Sequence, residues 1–144
     1  MRGSLLFFLL GAANAANVQD CGSTAKDLSI TIAGCSNADP VCLFASHQRA
    51  TIEATFTSPN DFQSAKVQLT ASIGILKIDF PLNPAEACGN WGLKCPAQAG
   101  SRQTLKVELP IDGSYPKIEV GVTLQLITDK GEKLLCKSFP VKIK

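Results

Sequence analysis

The stretch from Leu109 to Leu126 constrains the fold more than any other part of the chain. It reads L-P-I-D-G-S-Y-P-K-I-E-V-G-V-T-L-Q-L. In its second half Ile118, Val120, Val122, Leu124 and Leu126 alternate with Lys117, Glu119, Thr123 and Gln125. A period of two residues places one set on the apolar face of a strand and the other on its wet face. The first half is a corner, Asp112-Gly113-Ser114, bracketed by Pro110 and Pro116. Turns run over the surface and normally carry polar residues. Ile111 and Tyr115, the only tyrosine, depart from that rule. Apolar side chains on a corner at the end of an apolar strand face mark the rim of a greasy interior.

The alternation recurs along the chain. Leu28, Ile30 and Ile32 form a first apolar row, and Ile52, Ala54 and Phe56 a second. Val67, Leu69, Ala71 and Ile73 form a third, Gly74 breaks it, and 75–80 makes a fourth strand. Leu105, Val107 and Leu109 form a fifth, 118–126 a sixth, and 133–144 the last, after an Asp129-Lys130-Gly131 turn. The segment 81–100 is rich in proline and glycine and reads as an irregular excursion. About seven short strands without a helical period predict an all-β, immunoglobulin-like sandwich of two sheets. With 45% hydrophobic and 18% charged residues in 144, the chain is globular rather than disordered. There is no repeat and no linker, so one domain over 16–144 is expected.

Residues 1–15 stand apart. Arg2 supplies a positive charge, Leu5 to Leu10 an apolar run, and Ala13-Asn14-Ala15 a small-x-small cleavage pattern. That is a secretory signal peptide, cut after Ala15 or one residue later. The run is far short of the ~20 apolar residues that span a bilayer. Loss of Arg2 lowers the net charge from +2 to about +1, which argues against a nucleic-acid partner. The lysines that gather toward the end of the chain read as solubilising charge on exposed strand faces. No Asn-x-Ser/Thr sequon occurs. Glycan-dependent sorting to the lysosomal lumen is therefore disfavoured against an extracellular location.

Six cysteines in a secreted chain predict three disulfides. Cys35 and Cys42 flank one short loop and Cys88 and Cys95 another, so both pairs read as local. Cys21 and Cys136 remain for each other. A zinc site is the competing reading. It lacks close Cys-x-x-Cys spacing and has only one histidine, His47, to draw on. No metal or cofactor is expected.

Catalysis has little to work with. His47 sits in a polar His-Gln-Arg run and reads as a solvated surface residue. Asp20, Asp27, Asp39, Asp61, Asp112 and Asp129 fall in turns or at strand ends, where Asp accepts from backbone N–H groups. There is no nucleophile elbow and no phosphate loop, so the chain is not read as an enzyme. Trp91, the only tryptophan, lies inside the Cys88–Cys95 loop, where packing beneath the loop is the commoner fate.

Several short motifs occur in one order: Asp20-Cys21-Gly22-Ser23, the Cys35–Cys42 loop, Phe56-Thr57-Ser58, Phe80-Pro81, Cys95-Pro96, Leu109-Pro110-Ile111, Tyr115-Pro116, and Cys136 followed by Pro140-Val141. Each is weak alone; together with six matched cysteines they span nearly all of the mature chain. The sequence resembles the ML (MD-2-related lipid-recognition) family, most of all its Niemann-Pick C type 2 branch, including arthropod members. It is also similar to the mite group 2 allergens around Thr70 to Ala99. The resemblance implies two sheets held apart around an internal apolar lipid cavity. It implies Phe80, Ile111 and Tyr115 at the portal, and Leu109, Pro110, Val122 and Leu124 in the pocket wall. It implies the same cysteine pairing, first with last and the middle four locally.

Two wall positions that are tryptophan in the sterol-binding vertebrate branch are Leu124 and Lys137 here. A Leu-lined space suits fatty acids or other semiochemicals as well as sterols. The expectation is a secreted, monomeric lipid-binding and transfer protein for a sterol, fatty acid or similar ligand, with membrane or receptor contact at the portal. The alternative is a module that presents its lipid to a receptor in innate immunity.

Overall fold

Alternating residues become alternating burial, strand by strand. In the computed structural model, which describes residues 18–35, 40–80 and 82–144, nine strands are present. They are β1 (Gln19–Asp20), β2 (Lys26–Ile32), β3 (Cys42–Phe44), β4 (Arg49–Thr57), β5 (Ala65–Ile73), β6 (Leu76–Phe80), β7 (Arg102–Pro110), β8 (Glu119–Thr128) and β9 (Lys133–Ile143). In β4 the residues Ala50, Ile52, Ala54 and Phe56 are buried, and their neighbours face outward. In β8 every even-numbered residue from Val120 to Thr128 is buried. The expected signal peptide lies outside the described residues.

The strands form two sheets. One has six strands in the order β1-β9-β8-β5-β6, with β3 added beside β9; the other is β2-β4-β7. All pairings are antiparallel except β3 with β9. The architecture is the expected two-sheet sandwich, with nine strands in place of seven. The two additional strands, β1 and β3, have two and three residues, too few to show a period. Both are held by β9. β1 pairs with Ser138 and Lys137, and β3 with Val141 to Ile143. Pro140 falls in the gap between them, where no strand partner calls for the N–H that proline lacks.

One inward-facing expectation fails. Ile118 precedes β8 and is 37% exposed. Its carbonyl accepts from the Ile143 N–H at 3.0 Å, and that bond fixes where β8 enters the sheet rather than burying the side chain.

The core is the space between the two inner faces. Phe56, Leu105 and Val107 of the small sheet and Leu124, Leu126 and Phe139 of the large one are at most 2% exposed. Each such side chain contributes about 1.5–3 kcal/mol by leaving water. Three disulfides fasten the ends and loops: Cys21–Cys136, Cys35–Cys42 and Cys88–Cys95. The excursion after β6 is tied down by polar contacts. Gln103 is buried, and its amide bonds the N–H and the carbonyl of Lys94, at 3.1 Å each. Trp91 packs half-buried against the core, and its indole N–H donates to the Pro84 carbonyl at 2.9 Å.

Candidate functional site

The inner face of the large sheet carries rows of side chains set by strand register. One row runs Ile78 (β6), Ala71 (β5), Val122 (β8), Phe139 (β9). The next runs Phe80, Leu69, Leu124, Lys137. Ala71 is the smallest member of its row, between Ile78 and Val122. A short side chain among long ones leaves space that no neighbour fills.

That space is a cavity of ≈ 200 Å³. Leu69, Ala71, Val120 and Val122 form one wall, and Phe44, Val141 and Ile143 of the β3–β9 pair another. Leu109 closes it from β7, and Ile111 from the corner that follows. These residues are all at most 8% exposed. The rim is different: Ile73, Phe80 and Tyr115 are half-buried, and Ile78 and Pro116 are exposed. The Phe80 and Tyr115 rings meet edge to face across it, with centroids 5.5 Å apart and planes at 62°. The phenol hydroxyl of Tyr115 is the one polar side-chain group among the lining residues. A wall of this kind holds hydrocarbon and offers nothing to stabilise buried charge.

Of the seven residues assigned to the pocket from the sequence, Phe80, Leu109, Ile111, Tyr115 and Val122 line this cavity. Pro110 and Leu124 do not. Pro110 follows Leu109 on β7 and so points outward, where it is exposed. Leu124 shares the face of Val122 but sits one pleat deeper, fully buried in packed core opposite Leu69. Lys137 lies opposite Leu124, yet its ammonium reaches Asp20 at 3.4 Å and does not line the cavity. Periodicity marked Ala71 and Val120 only as core, since it does not show which core residues border a void; Val141 entered only through the Pro140-Val141 motif. Phe44 had no periodic signal at all.

Two aspartates of the turns, Asp129 and Asp112, accept from backbone N–H groups. The Asp129 carboxylate accepts from the N–H groups of Gln63 and Ser64 at 3.0 and 3.3 Å, and these hold its pKa below the usual range. The Ser114 N–H and hydroxyl do the same for Asp112, with a smaller contribution from the neighbouring His47. A shallow cleft of ≈ 440 Å³ at the opposite end of the sheets is lined by Asn60, Asp61, Ala99, Lys130 and Glu132. Its polar groups satisfy one another: Asn60 donates to Glu132, Lys130 to the Asp61 carbonyl, and the Ala99 N–H to Asp61. Larger in volume, it is open and offers no desolvated wall. Among the described residues no helix is long and apolar enough to cross a membrane.

A two-sheet sandwich with an apolar cavity opening at one end is the architecture of an internal-pocket lipid-recognition domain. The chain belongs to the ML domain family, whose profile matches residues 15–143. It is similar to the ecdysteroid-regulated 16 kDa protein of Manduca sexta, 32% identical over 94% of this chain and 93% of that one. It is similar as well to NPC intracellular cholesterol transporter 2 homolog a of Drosophila melanogaster, 29% identical over 91% and 89%. Among solved structures it resembles a Niemann-Pick type C2 protein from the Japanese carpenter ant. There the TM-score is 0.80 and the identity 26%, covering 88% of this chain and 98% of that one.

Proposed function

We propose that this protein is a secreted carrier that binds one small apolar lipid between its sheets and passes it on. The observation that carries the reading is the ≈ 200 Å³ cavity, walled by hydrocarbon and opening through a half-buried aromatic rim. The family and the name of the Drosophila relative, a cholesterol transporter, support a sterol or a ligand of similar chemistry.

Size refines the ligand. An apolar cavity of about 150 Å³ holds one benzene, and small-molecule pockets usually span about 300–1,000 Å³. A sterol or a long acyl chain therefore enters only if the rim moves and the sheets part somewhat. Each methylene so buried contributes about 0.8 kcal/mol, set against association costs of roughly 4–15 kcal/mol. The balance gives binding firm enough to carry a lipid and weak enough to release it. A linear ligand, which fills space one methylene at a time, suits such a cavity better than a rigid ring system.

Delivery needs a contact surface. The turn between β5 and β6 presents Ile75 fully exposed (104%) and Leu76 more than half exposed (58%), next to rim residues Ile73 and Ile78. This is the surface we assign to an acceptor membrane or receptor.

Uptake tests the binding itself. Delipidated protein is titrated with dehydroergosterol and with cis-parinaric acid, and native mass spectrometry reports any co-purifying lipid. Ile111→Glu is expected to abolish uptake. Leu43→Glu, on the exposed outer side of β3, is expected to leave it intact. Uptake by a folded Ile111→Glu variant at the wild-type level would place the ligand elsewhere.

A further inference from the structure

β6 has one open side. It ends the large sheet, and Leu76, Lys77, Ile78 and Asp79 are all exposed, with Phe80 half-buried. The turn before it has two residues, Gly74 and Ile75, between the paired Ile73 and Leu76. A loop that short makes its flanking pair a hydrogen-bonded one. The register then runs unbroken to Leu69 with Phe80. Leu76, Ile78 and Phe80 therefore turn their main-chain groups toward β5, and Lys77 and Asp79 turn theirs away from the sheet. Among the described residues no backbone bond reaches those two from another element.

Such an edge is a template for a further strand. Proteins commonly blunt it with a proline, a bulge or an inward-pointing charge. β6 has none of these: its sequence is Leu-Lys-Ile-Asp-Phe and its five pairs with β5 are continuous. Ile78 and Phe80 face the cavity, which puts both charges on the outer face. There the Asp79 carboxylate accepts from the Thr70 hydroxyl at 3.3 Å.

The charges specify the partner. Lys77 and Asp79 stand on either side of Ile78. A second copy laid antiparallel along β6, with Ile78 on the twofold axis, sets Lys77 opposite the copy's Asp79 and Asp79 opposite its Lys77. The main chain agrees with this register. The outward-turned Lys77 and Asp79 form the hydrogen-bonded pairs, and Ile78 meets Ile78 as the closer, non-hydrogen-bonded pair. Centring the axis on Lys77 or on Asp79 would instead set like charges face to face, which opposes pairing. On the inner face, Leu76 of one copy lies opposite Phe80 of the other, beside the cavity mouth.

We propose that two copies of this chain pair through β6, antiparallel about Ile78, and that each supplies Leu76 and Ile78 to the rim of the other's cavity. The contact is isologous and closes on itself. A five-residue strand pair falls short of the roughly 1,200 Å² of stable interfaces, so a dissociation constant on the order of 100 µM is expected. The pairing stands apart from the carrier reading, and its consequence for ligand rests on it. The dimer covers Leu76, part of the surface assigned to the acceptor, so the dimer shelters a ligand and the monomer delivers it.

Sedimentation equilibrium from about 10 µM to 1 mM tests the pairing. Wild type is expected to pass from monomer to dimer across that range. Lys77→Asp and Asp79→Lys each set like charges opposite one another, and each alone should associate at least about tenfold more weakly. An equimolar mixture of the two variants restores opposite charges at both pairs and should dimerise as wild type does, which a folding defect would not allow. Leu43→Glu, on the outer side of β3, should also dimerise as wild type does. Wild type that stays monomeric at about 1 mM overturns the proposal, and so does a mixture that fails to associate. Monomeric wild type that floats with phosphatidylcholine vesicles overturns it too, and gives the edge to a membrane. A dimer that takes up neither dehydroergosterol nor cis-parinaric acid supports the pairing and sinks the carrier reading. Where a probe is taken up, transfer per chain to vesicles should slow about fivefold from the lowest to the highest concentration in wild type and stay constant in Lys77→Asp. Equal behaviour of the two overturns the sheltering role.

Discussion

Asp20 shows how much one exposed side chain can organise. Its carboxylate accepts from the N–H groups of Gly22 and Ser23, at 3.0 and 3.2 Å, and lies 3.4 Å from Lys137. Its pKa is lowered to about 2, first by the Ser23 side chain, then by those N–H groups, and least by Lys137. The Ser23 hydroxyl is shared with the Cys136 carbonyl at 3.1 Å, so the cluster braces the Cys21–Cys136 crosslink. A folded pKa below the ordinary 3.8 means the stabilisation is present above about pH 4 and fades as pH falls toward 2. Because the carboxylate is nearly half exposed, solvent screening reduces it to at most about 1 kcal/mol. Asp20→Asn should therefore be less stable than wild type in urea at pH 7, with the gap closing by pH 2. A gap of constant size across that range would assign the effect to packing instead. The aspartates in turns were legible from the sequence because their role is local. The ion pair was not, since Lys137 lies on β9, at the far end of the chain.

On the proposed carrier function, the β5–β6 hairpin is the element that meets an acceptor. Gly74 takes φ 61°, which glycine allows at no steric cost, and the turn it makes pushes Ile75 into solvent. β6 is the edge of its sheet, exposed along most of its length. Exposed apolar residues beside a cavity mouth are the mark of a contact surface. Each, buried in a partner, contributes up to about 1.5–3 kcal/mol. Replacing both Ile75 and Leu76 by serine should slow lipid transfer to vesicles at least tenfold while leaving equilibrium affinity within about twofold. If affinity falls in step with transfer, the turn belongs to the pocket rather than to docking. The sequence announced this element clearly, because a greasy run broken by one glycine is a local signal. Its place at a sheet edge was not announced.

For the molecule as a whole, the long-range disulfide matters most. Cys21–Cys136 spans 115 residues, whereas each local bridge spans 7. In the chain-entropy account the long loop is worth about 4–5 kcal/mol and a short one about 2–3 kcal/mol. Removal of Cys21 and Cys136 together, as alanines, should cost more in chemical denaturation than removal of either local pair. Equal losses would point to native-state packing rather than to the unfolded chain.

The residue order already contained the strand faces, the two-sheet class, the three cysteine pairs and, through its motifs, the family. Each of these depends on near neighbours, on spacing, or on a pattern that survives without coordinates. The cavity is another matter. It exists because Ala71 faces Val122 in one register, because a three-residue strand delivers Phe44 to β9 in parallel, and because backbone bonds from the 47–48 turn hold Ile111 over it. Those meetings join segments far apart in the chain. A void is a property of what several surfaces leave unfilled together, so it appears only once all of them are in place.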